Sequence, residues 1–396
     1  MTALRLKVLD GIADAPSRDW DALSAHEPSL ATPFVRHAFL DALEASGCAS
    51  PRSGWRPRHL TLWRGEKLVA AAPAYAKGDS DGDFSRDFGW ASAASEAGLP
   101  YYPKLVLTVP FTPATGRRLL VAGGEQRSRV VPVLLGAARA LAEEERLRSI
   151  HVLFPCEEEA RELEAAGLAG RVDFQYHWVN AGYRDPAEFL ARFSSKRRTT
   201  IRRERAAPSR QGIAIRTVRG EELRAGARGL AREMFELHRA AVDRMAWGMR
   251  YVNRGFYERA LAAMPEALEI VEARRDGSLI AAAFNVASAT RLYGRYWGCR
   301  EEVPFLHFNV CLYHSVDECI RRGLDAFEGG AGGEHKLSRG FEPALTRSAH
   351  LFLDPRLDRP VRRHLALETR ERERALERWR AGAPVLKAAD ERTSGG

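Results

Sequence analysis

Cysteine is scarce and scattered. The 396 residues hold five, at positions 48, 156, 299, 311 and 319, with no CxxC pair. That pattern excludes a disulfide framework and a cysteine zinc site, and it predicts reduced thiols in a cytoplasmic protein. Long apolar runs are missing as well. None approaches the roughly 18 residues that span a bilayer, so no transmembrane segment is expected. The opening "MTALRLKVLDG" alternates charged and apolar residues and has no apolar h-region, so no signal peptide is read there. HExxH is absent, and no second His or Asp stands at ligand spacing near "GEHK", so no metal site is expected. No GxSxG elbow supports a Ser-His-Asp hydrolase.

What is present fits a soluble globular chain, with 45% hydrophobic and 29% charged residues. The length calls for two domains of roughly 150–200 residues each. The formal net charge is +9, with arginine the favoured base. The sum says little about partners; the distribution says more.

Two similar halves can be read. "HLTLWRGEKLVAAAPAYA" (His59–Ala76) reads as two strands about a Gly-containing turn, and "EIVEARRDGSLIAAAFNVA" (Glu269–Ala287) repeats it with a "DG" turn. "LVAAAP" from Leu68 and "LIAAAF" from Leu279 lie 211 positions apart. A helix-then-strand pattern follows in both: Val130–Phe154 and Phe308–Gly330. The reading is a duplicated α+β unit. The first half carries a Tyr- and Pro-rich insertion, Tyr101–Val121. "DPAE" predicts a helix start, with Asp185 as cap, Pro186 at the first helical position and Glu188 three residues on. That helix is expected to run past Ile201 and to end at Pro208 and Gly212. A last amphipathic helix offers Leu365, Leu376 and Trp379 for packing, before a tail expected to be disordered.

Two stretches carry candidate chemistry. Between residues 192 and 210, eight bases (Arg192, Lys196, Arg197, Arg198, Arg202, Arg203, Arg205, Arg210) face one acid, Glu204. Like charges at i, i+4 cost a few tenths of a kcal/mol each. The run is either a solvated basic face or a grip for a phosphate-rich partner. Aromatic interleaving for base stacking is absent, so phosphate contact fits better than base reading, and no DNA partner is expected. The other stretch is "FEGGAGGEHKLSRGFEP" (Phe327–Pro343). Its glycines admit positive φ or close backbone approach. Either it is a solvated turn, or it is a transfer site in which Glu334 or His335 takes a proton from an amine. In the second case Lys336 and Arg339 stabilise the tetrahedral oxyanion. In "YGRYWGCREEVPFLHFNV" the aromatics read first as core, and His307 as a packed histidine.

With these segments in view, the chain resembles the FemAB-like N-acyltransferases of the GNAT (Gcn5-related acyltransferase) superfamily. The matching stretches include "TPFVRHAFLDALEASG", "YYPKLVLTVPFTPATGRRLL", "FLARFSSKRRTTIRRER", "PFLHFNVCLYH" and "FEGGAGGEHKLSRGFEP". The resemblance implies two tandem GNAT-like α+β domains, each a mixed, mostly antiparallel sheet flanked by helices. The expected limits are 1–180 and 181–356, then a C-terminal helix 357–387 and the tail 388–396. It implies transfer of an acyl or aminoacyl group to an amine, as on a peptidoglycan precursor. Acyl-CoA or aminoacyl-tRNA would be the co-substrate, and no cofactor would be held permanently. Lys336 takes the place of a lysine thought to stabilise the transition state. Glu334 and His335 stand beside it as catalytic candidates. Lys196, Arg197, Arg198, Arg202, Arg203 and Arg339 are donor- or phosphate-binding candidates. Tyr101, Tyr102, Lys104, Trp297, His307 and Asn309 are candidates for the substrate groove. The sequence departs from the family in four places. His335 replaces an aromatic, Asn309 stands where an acid is usual, "EGGAGG" replaces a form with Pro and Gln, and the GNAT pyrophosphate loop is missing before Phe308. The rival reading is a non-catalytic module binding tRNA, nucleotide or anionic lipid.

Overall fold

A computed structural model describes residues 3–27, 29–30, 32–245 and 248–382. By packing, the chain divides into two compact units. One comprises 1–173, 251–264 and 345–372; the other comprises 174–250, 265–344 and 373–396. Segments distant in sequence thus share a unit, which a division at single points along the chain does not express.

The first unit holds a four-stranded antiparallel sheet of Leu4–Leu9, His59–Arg64, Lys67–Ala72 and Leu120–Val121. Its other strands include Ala74–Lys77, Lys104–Leu107 and Ser149–Leu153. Lys104–Leu107 and Ser149–Leu153 run parallel over three paired positions, and the helix Arg127–Glu144 connects them. Its buried Val130, Val131, Leu134, Ala138 and Leu141 fall at helical spacing and join Leu60, Leu62, Val69, Leu105 and Ile150 in the core.

The second unit repeats this plan. Strands Ile213–Arg219, Leu268–Arg275, Ser278–Ala287, Arg291–Cys299 and Ala326–Glu328 are neighbours in that order, followed by the end of Ala169–Val179. Asp276 and Gly277 both take positive φ in the expected hairpin turn. Arg291–Cys299 and Ala326–Glu328 are again parallel over three positions. A helix joins them, Leu306–Phe308 then His314–Arg322, with a π-helical turn at Asn309–Tyr313. The expected class, two tandem GNAT-like α+β units, is the observed one.

Two element predictions need correction. The helix from Pro186 is not continuous: it stops at Ala191, and a second runs Ser195–Arg210. The Asp185 cap is present, Oδ1 accepting from the Glu188 N–H at 2.8 Å. Ser194 is a second cap, accepting from the Arg197 N–H at 3.3 Å, and it restarts the helix. Nor does Pro208 end it. Proline lacks only the N–H that would bond the Glu204 carbonyl four residues back. The Asn309 side-chain amide donates to that carbonyl instead, at 2.9 Å. The C-terminal helix spans Pro355–Ala381, with Leu365 and Leu376 buried and Trp379 half-buried. The expected end of that helix, 383–387, and the tail 388–396 lie outside the described residues.

Candidate functional site: Lys336 beside a parting strand pair

In the second unit the parallel strands pair only at Arg291–Ala326, Leu292–Phe327 and Tyr293–Glu328. Arg291–Cys299 then continues alone on that side, while the other chain leaves through the glycines at 329, 330, 332 and 333. Gly330, Gly332 and Gly333 have φ between 73° and 90°, a region where a side chain is strained. At Gly329 the constraint is space: a Cβ would lie 3.1 Å from the Phe341 ring and 3.4 Å from Lys336 Cε.

Lys336 uses that space. It sits in a short 3-10 helix, Glu334–Arg339, and is only 4% exposed. Its ammonium donates to the Gly330 carbonyl at 2.7 Å and to the Gly332 carbonyl at 2.8 Å. An ammonium has three N–H donors, so one is left over. Among the described residues no carboxylate pairs with it. Burial therefore drives its pKa down to about 8. The result is a cation at neutral pH whose charge is not already spent on an ion pair.

His335 and Glu334, the neighbouring candidates, are exposed, and Glu334 makes no ion pair with the described residues. The His335 ring lies 5.4 Å from that of Phe308 and 6.2 Å from that of His307. Burial, then the charges of Lys336 and Arg339, lowers its pKa. His307 packs edge-on to Trp297 at 5.2 Å. Burial first, then His335, Lys336 and Arg339, holds it near 4, so it is a neutral imidazole.

Arg339 is placed differently from its expected role. It is buried and paired with Glu204 at 2.8 Å, stacked 3.4 Å over the Phe308 ring, and donates to the His335 carbonyl at 2.8 Å. Tyr313 donates its hydroxyl to the same Glu204 carboxylate. Arg339 therefore fixes the backbone next to Lys336. Asn309 is also structural, its amide donating to the Glu204 and Phe305 carbonyls, both at 2.9 Å.

Of the arginine run, Arg197 donates to the backbone and hydroxyl of Ser338, and Arg198 to the carbonyls of Ala191 and Phe193. Arg205 pairs with Asp317. Lys196, Arg202 and Arg203 remain exposed. The expected phosphate set is thus divided, three bases holding the fold and three facing solvent.

Tyr101, Tyr102 and Lys104, expected in the groove, belong to the first unit; Tyr101 and Lys104 are buried and Tyr102 is half-buried. Lys104 is fully buried between Asp83 at 2.8 Å and Asp87 at 2.5 Å, and donates to Ser80 at 2.7 Å. The Tyr101 hydroxyl donates to Asp87 at 2.7 Å, and the hydroxyls of Tyr102 and Ser80 are 2.8 Å apart.

Sequence reasoning passed over two groups. Glu204 looked like a lone acid among bases, yet it shares the buried face of its helix with Ile201 and Pro208, at i, i+3 and i+4 spacing. Glu328 ends its strand 3% exposed. Its signal was an acid closing a short apolar strand just before glycines.

A parting parallel pair, a glycine turn and a buried ammonium without a carboxylate partner thus meet at one place in the second unit. The FemAB-like family profile, described as peptidoglycan biosynthesis/recognition, matches residues 11–387. The chain belongs to that family, a class of acyl and aminoacyl transferases. Among solved structures it is similar to FemX, with 11% identity, 88% of this chain and 98% of that chain covered, and a TM-score of 0.53. It is also similar to the C-terminal domain of a protein described as a lysylphosphatidylglycerol synthetase from Agrobacterium fabrum, with 11% identity, coverages of 84% and 91%, and a TM-score of 0.51. At these identities the likeness is one of fold. No curated protein sequence matches the chain. Among the described residues no helix is long and apolar enough to cross a membrane, and no group of three or more His, Cys, Asp or Glu could hold a metal ion.

Proposed function

We propose that the protein transfers an acyl or aminoacyl group from an activated donor, acyl-CoA or aminoacyl-tRNA, to an amine of a peptidoglycan precursor. The observation that carries this reading is Lys336: buried, without a carboxylate partner, and held by two glycine carbonyls where the strands part. Attack of an amine on a thioester or ester carbonyl puts negative charge on the carbonyl oxygen. The remaining Lys336 N–H answers that charge in a water-poor place, where one such donor is worth a factor of about 10²–10³ in rate. Arg339 and Glu204 hold the loop. The exposed Lys196, Arg202 and Arg203 suit the donor's phosphates. Five free cysteines, four of them buried, suit a reducing compartment and support a cytoplasmic setting for this reaction.

The test incubates the protein with acetyl-CoA or with alanyl-tRNA and a peptidoglycan pentapeptide bearing a free side-chain amine. A mass gain of one acyl or alanyl group on the peptide, lost when RNase removes the tRNA, identifies reaction and donor together. Transfer should weaken as pH rises past about 8, where the ammonium loses its proton. Binding of either donor without any product supports the rival reading, a binding module using the basic face.

A further inference from the structure

Amine attack needs a group to take the proton of an ammonium acceptor. Glu334 is exposed and isolated, and position 309 holds an amide; of the two imidazoles, His307 is packed on Trp297, and His335, exposed beside Lys336, is the rival base. The strand Ala326–Glu328 supplies a carboxylate on its other face. Gly329 turns toward Lys336, and Glu328, its neighbour, points the opposite way because strand side chains alternate. There it sits directly opposite His177 on one side and Tyr293 on the other. It is the last residue of its strand paired on both sides, at the point where the strands part.

Glu328 is 3% exposed, and its Oε2 has no hydrogen-bond donor among the described residues. Its Oε1 lies 3.4 Å from Arg291 Nη1. His177 Nε2 is 3.9 Å from Oε2 and 3.3 Å from Gln175 Oε1. Burial lowers the His177 pKa most; Glu328 raises it, and Arg291 and Lys336 lower it. Arg295 also lies within electrostatic reach of Glu328. A buried carboxylate oxygen without a donor is costly, and such an orphan asks for an explanation. An incoming ammonium is the missing donor.

We propose that Glu328 is the general base of the transfer. The inference rests on the acyl-transfer reading above. The Glu328 carboxylate takes one proton from the acceptor ammonium. The freed nitrogen lone pair forms the C–N bond, and the carbonyl oxygen carries the charge toward Lys336. The C–S or C–O bond to the donor then breaks, and the leaving thiolate or alkoxide takes up the second proton shed by the attacking nitrogen, giving amide plus thiol or alcohol. Base and cation thus act from the two faces of one strand, separated by Gly329.

The test is kinetic, with the donor and pentapeptide of the preceding section. Glu328→Ala should lower kcat on the order of 10²–10⁴-fold with KM within a few-fold, and added formate should restore part of the rate. Wild-type-like kcat, or a loss that formate does not relieve, overturns the base assignment while wild-type turnover leaves the transfer reading standing. No turnover by the wild type overturns both. If Glu328→Ala does not fold, Glu328→Asp decides: its carboxylate is withdrawn by one methylene. A kcat loss of at least about tenfold at unchanged KM supports the role, and an unchanged kcat overturns it.

Discussion

An amide at position 309 donates to two carbonyls at once, those of Glu204 and Phe305. A carboxylate there would set negative charge against both oxygens. Asn309 therefore matches Pro208, whose missing N–H frees the Glu204 carbonyl that Asn309 occupies. Asn309→Asp is expected to destabilise the protein by about 1–3 kcal/mol and to add no activity. Urea unfolding checks the first point and turnover the second; a faster, equally stable variant would restore position 309 as a base. At this scale the stretch around Lys336 stood out, because a glycine run leading into Glu, His and Lys is hard to assign to packing. Glu204 did not. Only the helical phase it shares with Ile201 and Pro208 separates it from a solvated acid, and that phase is diluted by eight neighbouring bases.

The helix Ser195–Arg210 serves two purposes along its length. Arg197, Arg198 and Arg205 are anchored to backbone carbonyls, a serine hydroxyl and Asp317, so replacing them tests the fold as much as the ligand. The exposed set is the cleaner probe. Lys196→Ala, Arg202→Ala and Arg203→Ala together should weaken alanyl-tRNA binding. The slope of log affinity against log salt should fall by roughly 0.7–0.9 for each phosphate left without its basic partner. An unchanged slope would remove this face from the donor site. The hairpins, the cap at Asp185 and the helix-strand repeat were all readable from turn residues and periodicity. The break at Ser194 was hidden, because a serine beside another serine marks a cap only once the backbone of Phe193 and Ser194 is known to leave the helix.

Across the whole molecule, the duplicated plan places a short parallel pair in each unit, and the two copies are used differently. In the second unit the pair opens beside Lys336. In the first, Lys104 and its two aspartates are sealed, and a histidine pair sits nearby. His151 and His350 approach Nδ1 to Nδ1 at 2.6 Å, and their other ring nitrogens meet Ser149 and Ser348 at 2.7 and 2.8 Å. One Nδ1 must donate and the other accept, so the two rings cannot both be protonated. Burial, helped by the charge of Lys104, holds His151 near 3. Burial and the charges around it put His350 well below the usual imidazole range. An unfolded histidine takes up its proton near 6.5. The stabilisation is therefore complete above about 6.5 and lost as pH falls toward 3. His151 alone predicts a loss of about 2 kcal/mol at pH 5. Urea midpoints at pH 7 and pH 5 measure it, and equal midpoints would refute it. Neither this pair nor the sealing of Lys104 was readable from sequence. Both depend on residues far apart in the chain, such as Ser348 and His350 against Ser149 and His151, and pairing at that range leaves no local pattern.

If Lys336 is the cation of a transfer site, its removal must slow the chemical step and spare donor binding. The measurement that tests it most directly is single-turnover acyl transfer by Lys336→Ala, with donor affinity determined on the same samples. Transfer is expected to fall about 10²–10³-fold while donor affinity stays within a few-fold. Transfer at the wild-type rate, or a fall fully matched by weaker donor binding, would contradict it.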